Sequence, residues 1–489
     1  MKVNRAQHPL VQSGLLQAVV ALVAMAAAAT GLHAQAANPS SATNPFFGSI
    51  TVRPVADETL KLSLDEAIAM GLKNNLGLKE SENSELDIKG QKNQALQEFL
   101  PTITLNGSSG FYQHNLAAQG FGPSFIDKLG ALFPNGIPAG LSLITKDDLT
   151  QGQLQYSQML FSGPVIAAYS GAKAAERAAH FAKMSARGEV VQQVATAYLH
   201  VIAAASEVDN ARALEAEDKV LLSQVQAAHE AGTAANLDEL RARVQLQAQQ
   251  QTVIFAENSY EKTLILLKRE IGIDPGQKVT LTDPAPYSEL AAETPEEVRA
   301  VAYKNRQDYQ TLQNQAVEFK AVKATYRSMR LPSLSFGGYY AASKVNGVGS
   351  HGNFAVEGIV SVPLFREGSL RGNVQVAQAN LNAVNAQLDD LRNHIDEQVR
   401  AALLDVAANS KLVEVAHSNV ELATRALADE TERVNAGVDD NLPLVTAQAT
   451  LASAQSNLVE SLYRFNVSKI LLARSAGVLE TQYRAYLGR

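Results

Sequence analysis

The sequence predicts a mainly α-helical chain with a smaller β component, built as a tandem duplication. Three observations carry this. The two halves align with each other, two very long runs carry heptad-spaced aliphatic residues, and four shorter segments alternate with a period of two.

The duplication sets the frame. "SLDEAIAMGLKNN" (63–75) aligns with "TPEEVRAVAYKNR" (294–306), and "LPTITL" (100–105) with "LPSLSF" (331–336), both at a spacing of 231. Further on, Leu237 pairs with Leu442, Tyr260 with Phe465 and Gly272 with Gly477, at a spacing of 205. The spacing changes because the first half is longer between its "LP" and "LF" motifs, which marks a surface loop there. The expected division is a first repeat over 62–292 and a second over 293–479. A linker at 37–61 precedes them and a tail at 480–489 follows.

Residues 1–36 read as a cleaved export signal. Lys2 and Arg5 give a basic start, an alanine-rich apolar run extends from Leu15 to Leu32, and "AQA" (34–36) fits the small-x-small cleavage pattern. No later segment reaches the length of a spanning helix, so any further membrane contact falls to strands. The chain of 489 residues has a net charge of -7 and no basic stretch, which argues against a nucleic-acid partner. The absence of cysteine excludes disulfides, thiolate metal sites, thiol nucleophiles and a lipidated N-terminal cysteine.

Each repeat opens with a capped helix. Ser63 with Glu66, and Thr294 with Glu297, form capping boxes, and Pro295 suits the first helical position. Breaks are expected near Asn74 and Asn305, and ends before Pro101 and Pro332. Two strands per repeat follow, about 100–116 and 148–161, then 331–343 and 353–365. In "FAVEGIVSVPLF", Phe354, Val356, Val360, Val362 and Leu364 share one face. Ile103, Leu105, Leu154, Tyr156, Leu334, Phe336 and Tyr340 behave alike in the other strands. Phe111, Tyr112, Phe161, Tyr339, Tyr340 and Phe365 are expected near strand ends, as in an aromatic girdle. Loops should cover 117–148 and 343–352.

The long helices, about 165–230 and 366–435, come next. Val399, Val406, Val413, Val420, Leu427 and Val434 are seven apart, and Val194, Val201, Val208 and Leu222 hold equivalent places in the first half. Each long helix ends in a matching turn: "AGTAANL" with its tip at 231–236, and "AGVDDNL" with its tip at 436–441. Gly232 and Gly437 can take the left-handed conformation that stops a helix. Asn236 and Asn441 can N-cap the next one, with Glu239 completing a box in the first half. Asp238, Asp439 and Asp440 then sit where a helix dipole favours acids, or form an acidic ring if copies assemble around an axis. Closing helices run over 236–271 and 441–476.

Enzymatic signatures fail on context. "GVGSHG" (347–352) satisfies G-x-G-x-x-G, but a strand rather than a helix follows it, so it reads as a hairpin loop. The nine histidines form no i, i+4 pair, and neither H-E-x-x-H nor G-x-S-x-G occurs. The expectation is no enzyme, no cofactor and no metal.

The order of these parts, given twice, resembles the TolC-like outer-membrane efflux protein family over about 62–479. The resemblance implies a homotrimer with a periplasmic α-helical barrel. Four strands per protomer would join in one transmembrane β-barrel in outer-membrane lipid. It implies an exit duct that works with a periplasmic adaptor and an inner-membrane pump in efflux or type I secretion. It makes the turns the periplasmic pore entrance and adaptor-docking tip, formed by Gly232, Asn236, Asp238, Gly437, Asp439, Asp440 and Asn441. Asp238 matches an entrance-lining acid of the family, whereas Pro443 and Thr446 stand where relatives can carry acids and Asp439 where they can carry a base. Four strands cannot close a barrel alone, which independently calls for several copies. The alternative is a soluble periplasmic coiled-coil scaffold whose sheet packs on itself and which has no pore.

Overall fold

The computed structural model describes residues 44–115, 144–232, 235–284, 287–290, 293–346, 349–436 and 441–488. The expected export signal lies outside them. In chain order the elements are β1 (Leu60–Leu62), α1 (Leu64–Asn74), α2 (Leu76–Gln97), β2 (Thr102–Asn115), β3 (Ile144–Ser162), α3 (Gly163–Glu230) and α4 (Asn236–Ile271). The second half continues with β4 (Val279–Leu281), α5 (Pro295–Asn305), α6 (Gln307–Ser328), β5 (Ser333–Val345), β6 (His351–Ser361), α7 (Glu367–Asn435), α8 (Asn441–Ser475) and α9 (Leu479–Tyr486). No helix among the described residues is long and apolar enough to cross a membrane.

The chain divides into two compact units. One holds the described residues of 89–173 and 317–381 and is organised by a four-stranded antiparallel sheet in the order β2-β3-β5-β6. The strands pair over long, nearly unbroken registers. A shift between Met159 and Phe161 brings Phe161 opposite Leu334. The expected loop at 117–148 lies mostly outside the described residues, but its last residues, from Ile144, belong to β3. At the far end β6 stops at Ser361, so Val362 and Leu364 do not continue its face. Pro363 has no N–H to give the ladder. Tyr339 and Tyr340 fall in the middle of β5, not at its end.

The second unit holds the described residues of 44–88, 174–316 and 382–488. Both capping boxes form, with the Ser63 and Thr294 hydroxyls accepting from the N–H groups of Glu66 and Glu297. Each opening helix then breaks: Asn75 and Arg306 leave the helical conformation between α1 and α2 and between α5 and α6. The core gathers Leu62, Leu64, Val190, Val194, Tyr198, Leu267, Ile271, Ile395, Val399 and Ile470. The heptad rows on α3 and α7 point into it and into two smaller clusters nearer the ends of the helices. Close approach explains Gly71, where an added Cβ would lie 2.7 Å from a Val194 methyl.

The flanking segments are more ordered than a linker and a tail. β1 pairs in parallel with β4, joining the N-terminal segment to the end of the first repeat. Asp283 accepts from the Leu64 N–H at 2.7 Å and from the Tyr198 hydroxyl at 2.9 Å, so it holds the start of α1 against α3. α9 packs Leu479, Tyr483 and Tyr486 into the core, and the Tyr483 hydroxyl donates to Asp65 at 2.6 Å.

Candidate functional site

Two places carry surface chemistry that the core does not absorb: the sheet and the turns that follow the long helices. In the sheet, Leu105, Leu154, Tyr340 and Phe354 lie opposite one another across all four strands, and therefore on one face. The next row on that face is Ile103, Tyr156, Gly338 and Val356. Leu334 and Val360 extend it. The opposite face carries Thr104, Gln155, Tyr339 and Ala355, then Asn106, Gln153, Ala341 and Asn353. One face is thus apolar and the other mostly polar, and the apolar one is open: Leu105 is 78% exposed and Phe354 76%. β2 and β6 each have one unpaired edge. A row of unpaired backbone groups next to an apolar face demands further strands. The expected loop at 343–352 is shorter: β5 runs on to Val345 and β6 begins at His351, so the last two residues of "GVGSHG" pair in the sheet, and Asn346 at positive φ starts the connection, in keeping with a hairpin for the described part.

At the first turn α3 ends as expected. Gly232 has φ 74, and its N–H donates to the His229 carbonyl at 2.9 Å. The expected cap does not form. α4 begins with Asn236 itself, the N-cap is Ala235, and among the described residues no side-chain cap forms. Asn236 is already helical, which places Glu239 one position beyond the reach of a capping box. Glu239 instead accepts from Arg243 at 2.6 Å and from Gln226 on α3 at 3.4 Å, with His229 at 4.0 Å. It ties the end of one helix to the start of the next. Asp238 lies in the first turn of α4, where the dipole favours it, and faces Arg241 at 3.5 Å.

At the second turn α7 ends at Asn435, and the Ala436 N–H closes on the Glu432 carbonyl at 2.9 Å. Gly437, Asp439 and Asp440 lie outside the described residues. Asn441 is the first residue of α8.

The structure brings the helices of the two turns together. Leu221 and Val225 of α3, Ala242 of α4 and Leu444 of α8 form one buried cluster, with Leu427 and Val434 of α7 packed on it. Beside it lies a groove of about 380 Å³, lined by Leu221, Leu237, Leu240, Val244 and Val445, with Asp238 and Arg241 as its charged members. The seam above contains polar residues that sequence reasoning missed. Asp218, Gln249 and Gln448 are buried. Burial pushes the Asp218 carboxyl up to about 6, against a hydrogen bond from Gln245 that lowers it. The signal was available: Asp218 stands seven residues before Val225 and seven after Ala211, on the inward row. Among the described residues no three His, Asp or Glu side chains gather in a way that could hold a metal ion.

Comparison with known proteins agrees with this geometry. Residues 68–272 and 301–478 match the family described as outer membrane efflux protein. The chain is similar to the alkaline protease secretion protein AprF of Pseudomonas aeruginosa, 24% identical over 60% of this chain and 62% of that protein. It is also similar to the outer membrane protein TolC of Vibrio cholerae, 23% identical over 72% of this chain and 84% of the relative. The first match thus spans under two thirds of the relative it meets. Among solved structures, the outer membrane protein VceC from Vibrio cholerae aligns with a TM-score of 0.69 at 15% identity, covering 85% of this chain and 96% of VceC. That likeness is one of fold.

Proposed function

The chain belongs to the outer membrane efflux protein family, and from that premise we propose that three copies assemble into an outer-membrane exit duct for an efflux pump or type I secretion system. The observation that carries this reading is the exposed apolar row Leu105–Leu154–Tyr340–Phe354 on a sheet with two open edges. A soluble scaffold would pack that face against protein, whereas lipid satisfies it directly. Four strands from each of three protomers give twelve, an even number within the usual range of roughly 8 to 26 for such barrels. The polar face, with Thr104, Asn106, Gln153 and Gln155, then lines a water-filled lumen.

In this reading the chain does no chemistry. A periplasmic adaptor and an inner-membrane pump supply the energy, and the helices form the periplasmic part of the conduit. The two turns form its entrance and docking tip, with Gly232, Asn236, Asp238, Gly437, Asp439, Asp440 and Asn441 at or beside it. The joint burial of Leu221, Ala242 and Leu444 supports treating the two turns as one end. The purified oligomer is expected to migrate as a heat-modifiable trimer and to give discrete conductance steps in planar bilayers. A monomer that remains in the soluble fraction and gives no steps rejects the duct. Replacing Asp439 and Asp440 with Ala is expected to weaken cation preference, and unchanged selectivity assigns those acids to helix capping alone.

A further inference from the structure

The end of the sheet where β6 runs into α7 combines two features. After β6 ends, Leu364 is 93% exposed and Phe365 88%, and Val362 and Leu331 beside them are also open. Immediately beyond lies the basic surface of α6 and the first turns of α7. Over residues 318–330 and 362–378 the chain carries Lys320, Lys323, Arg327, Arg330, Arg366 and Arg371, against only Glu318 and Glu367. This excess stands out in a chain whose net charge is -7. The first repeat has less of it: over the matching residues 87–99 and 158–174 it carries Lys89, Lys92 and Lys173 against Asp87 and Glu98.

The side chains are arranged, not merely clustered. Arg330 donates to Glu367 at 2.9 Å, and Arg371 approaches the other oxygen of the same carboxylate at 3.9 Å. Glu367 thus holds two arginines side by side and neutralises only one. Arg366 and Arg327 are exposed and make no ion pair among the described residues. Exposed Leu364 and Phe365 thus come immediately before Arg366, which makes no ion pair among the described residues, and about two turns before Arg371. That is the pattern of a side chain set at a lipid–water boundary, with apolar parts among acyl chains and arginines at phosphate level.

We propose that the α6–α7 junction binds the phosphate headgroup of an anionic phospholipid, in the leaflet on the helical side of the sheet. Arg366, Arg371, Arg327 and Arg330 meet the headgroup, and Leu364 and Phe365 enter the acyl region. The proposal rests on the sheet being part of a membrane barrel, which is read out separately below. It gives each protomer one lipid site from its second repeat.

The test uses the full chain, reconstituted in vesicles of equal parts phosphatidylethanolamine and phosphatidylglycerol, re-extracted in neutral detergent, and analysed by native mass spectrometry for retained lipid. Phosphatidylglycerol is expected to be retained over phosphatidylethanolamine, and less so in high salt. Arg366→Gln with Arg371→Gln should lower that retention about fivefold per arginine removed. Lys344→Gln, at the opposite end of β5, should leave it unchanged. Leu364→Ser with Phe365→Ser should lower retention of both lipids. Heat-modifiable migration reports the barrel independently: its absence in the wild-type chain counts against the duct, and only variants that keep it are compared for lipid. Equal retention of the two lipids by the wild-type chain overturns the site. So does unchanged retention in the double arginine variant with its barrel intact.

Discussion

Leu105 on β2 and Phe354 on β6 stand on the same row at the two open edges of the sheet, joined through Leu154 and Tyr340, and both point to one exposed face. Thr104, one residue away, belongs to the polar face. In the proposed barrel the two faces, lipid and lumen, are therefore a single residue step apart. A lysine at Leu105 places a charge in the apolar band and is expected to cost about 2–4 kcal/mol of barrel stability near the midplane. A lysine at Thr104 enters the polar face and should be tolerated. Urea titration of the folded oligomer, followed by heat-modifiable migration, distinguishes them. Greater sensitivity of the Thr104 variant would reverse the assignment of the faces, and equal sensitivity would abolish it.

Gly232 and Gly272 both have positive φ, 74 and 81, yet their surroundings differ. A Cβ at Gly232 meets nothing within 4 Å. At Gly272 it would lie 2.6 Å from the Ser49 hydroxyl and 2.7 Å from the Thr51 carbonyl. Gly232→Ala therefore carries only the backbone term, about 1 kcal/mol, confined to the turn. Gly272→Ala adds a clash with the N-terminal segment and should loosen residues 49–53, whose Arg53 N–H donates to the Gly272 carbonyl at 2.8 Å. Hydrogen exchange is expected to rise at the turn in the first variant, and near Arg53 and Asn74 in the second. Identical exchange maps would contradict the difference in packing.

Much of this architecture was legible because it rests on local rules. Ser63, Glu66, Thr294 and Glu297 announce their capping boxes by spacing alone, and the valine rows on α3 and α7 are inward-facing where the heptads put them. The parts that were not legible depend on partners distant in the chain. Three-residue strands such as β1 and β4 carry no periodic signal, and only their mutual pairing makes them strands. α9 is too short to be stable alone, and it folds because Tyr483 and Tyr486 find the core. Asn236 shows the limit of the capping rule. Asparagine suits an N-cap, but helix start is set to within one residue by the preceding turn, and here Ala235 took the cap. The second turn's Gly437, Asp439 and Asp440 lie outside the described residues, so that half of the entrance stands on the sequence alone.

That displaced cap gives a prediction about the turn. Asn236 is not the N-cap and makes no capping bond among the described residues, so Asn236→Ala should change stability by less than about 0.5 kcal/mol, well under the ~1 kcal/mol of a true cap residue. Glu239 bridges Arg243, His229 and Gln226, so Glu239→Ala should loosen the junction of α3 and α4. Limited proteolysis of the assembled protein is expected to cut the Glu239 variant faster near residues 230–236 and to leave the Asn236 variant like wild type. Faster cutting in the Asn236 variant alone would restore the capping role.

Glu270, near the end of α4, is buried, and its Oε2 has no hydrogen-bond partner. Burial alone pushes its carboxyl from 4.5 up to about 8. The unfolded chain ionises near the ordinary value, so between about 4.5 and about 8 the folded state holds the extra proton. Stability contributed by the neutral form is complete below the unfolded value and is lost as pH rises through the folded one. Glu270→Gln removes this titration while keeping the shape. Its advantage over wild type should be small at pH near 4.5 and should grow to a few kcal/mol, in order of magnitude, above pH about 8. With no tryptophan in the chain, helix loss by circular dichroism on heating is the suitable readout. Melting curves of the two proteins that stay parallel across that range would mean that Glu270 reaches water or an unseen partner in the assembled protein.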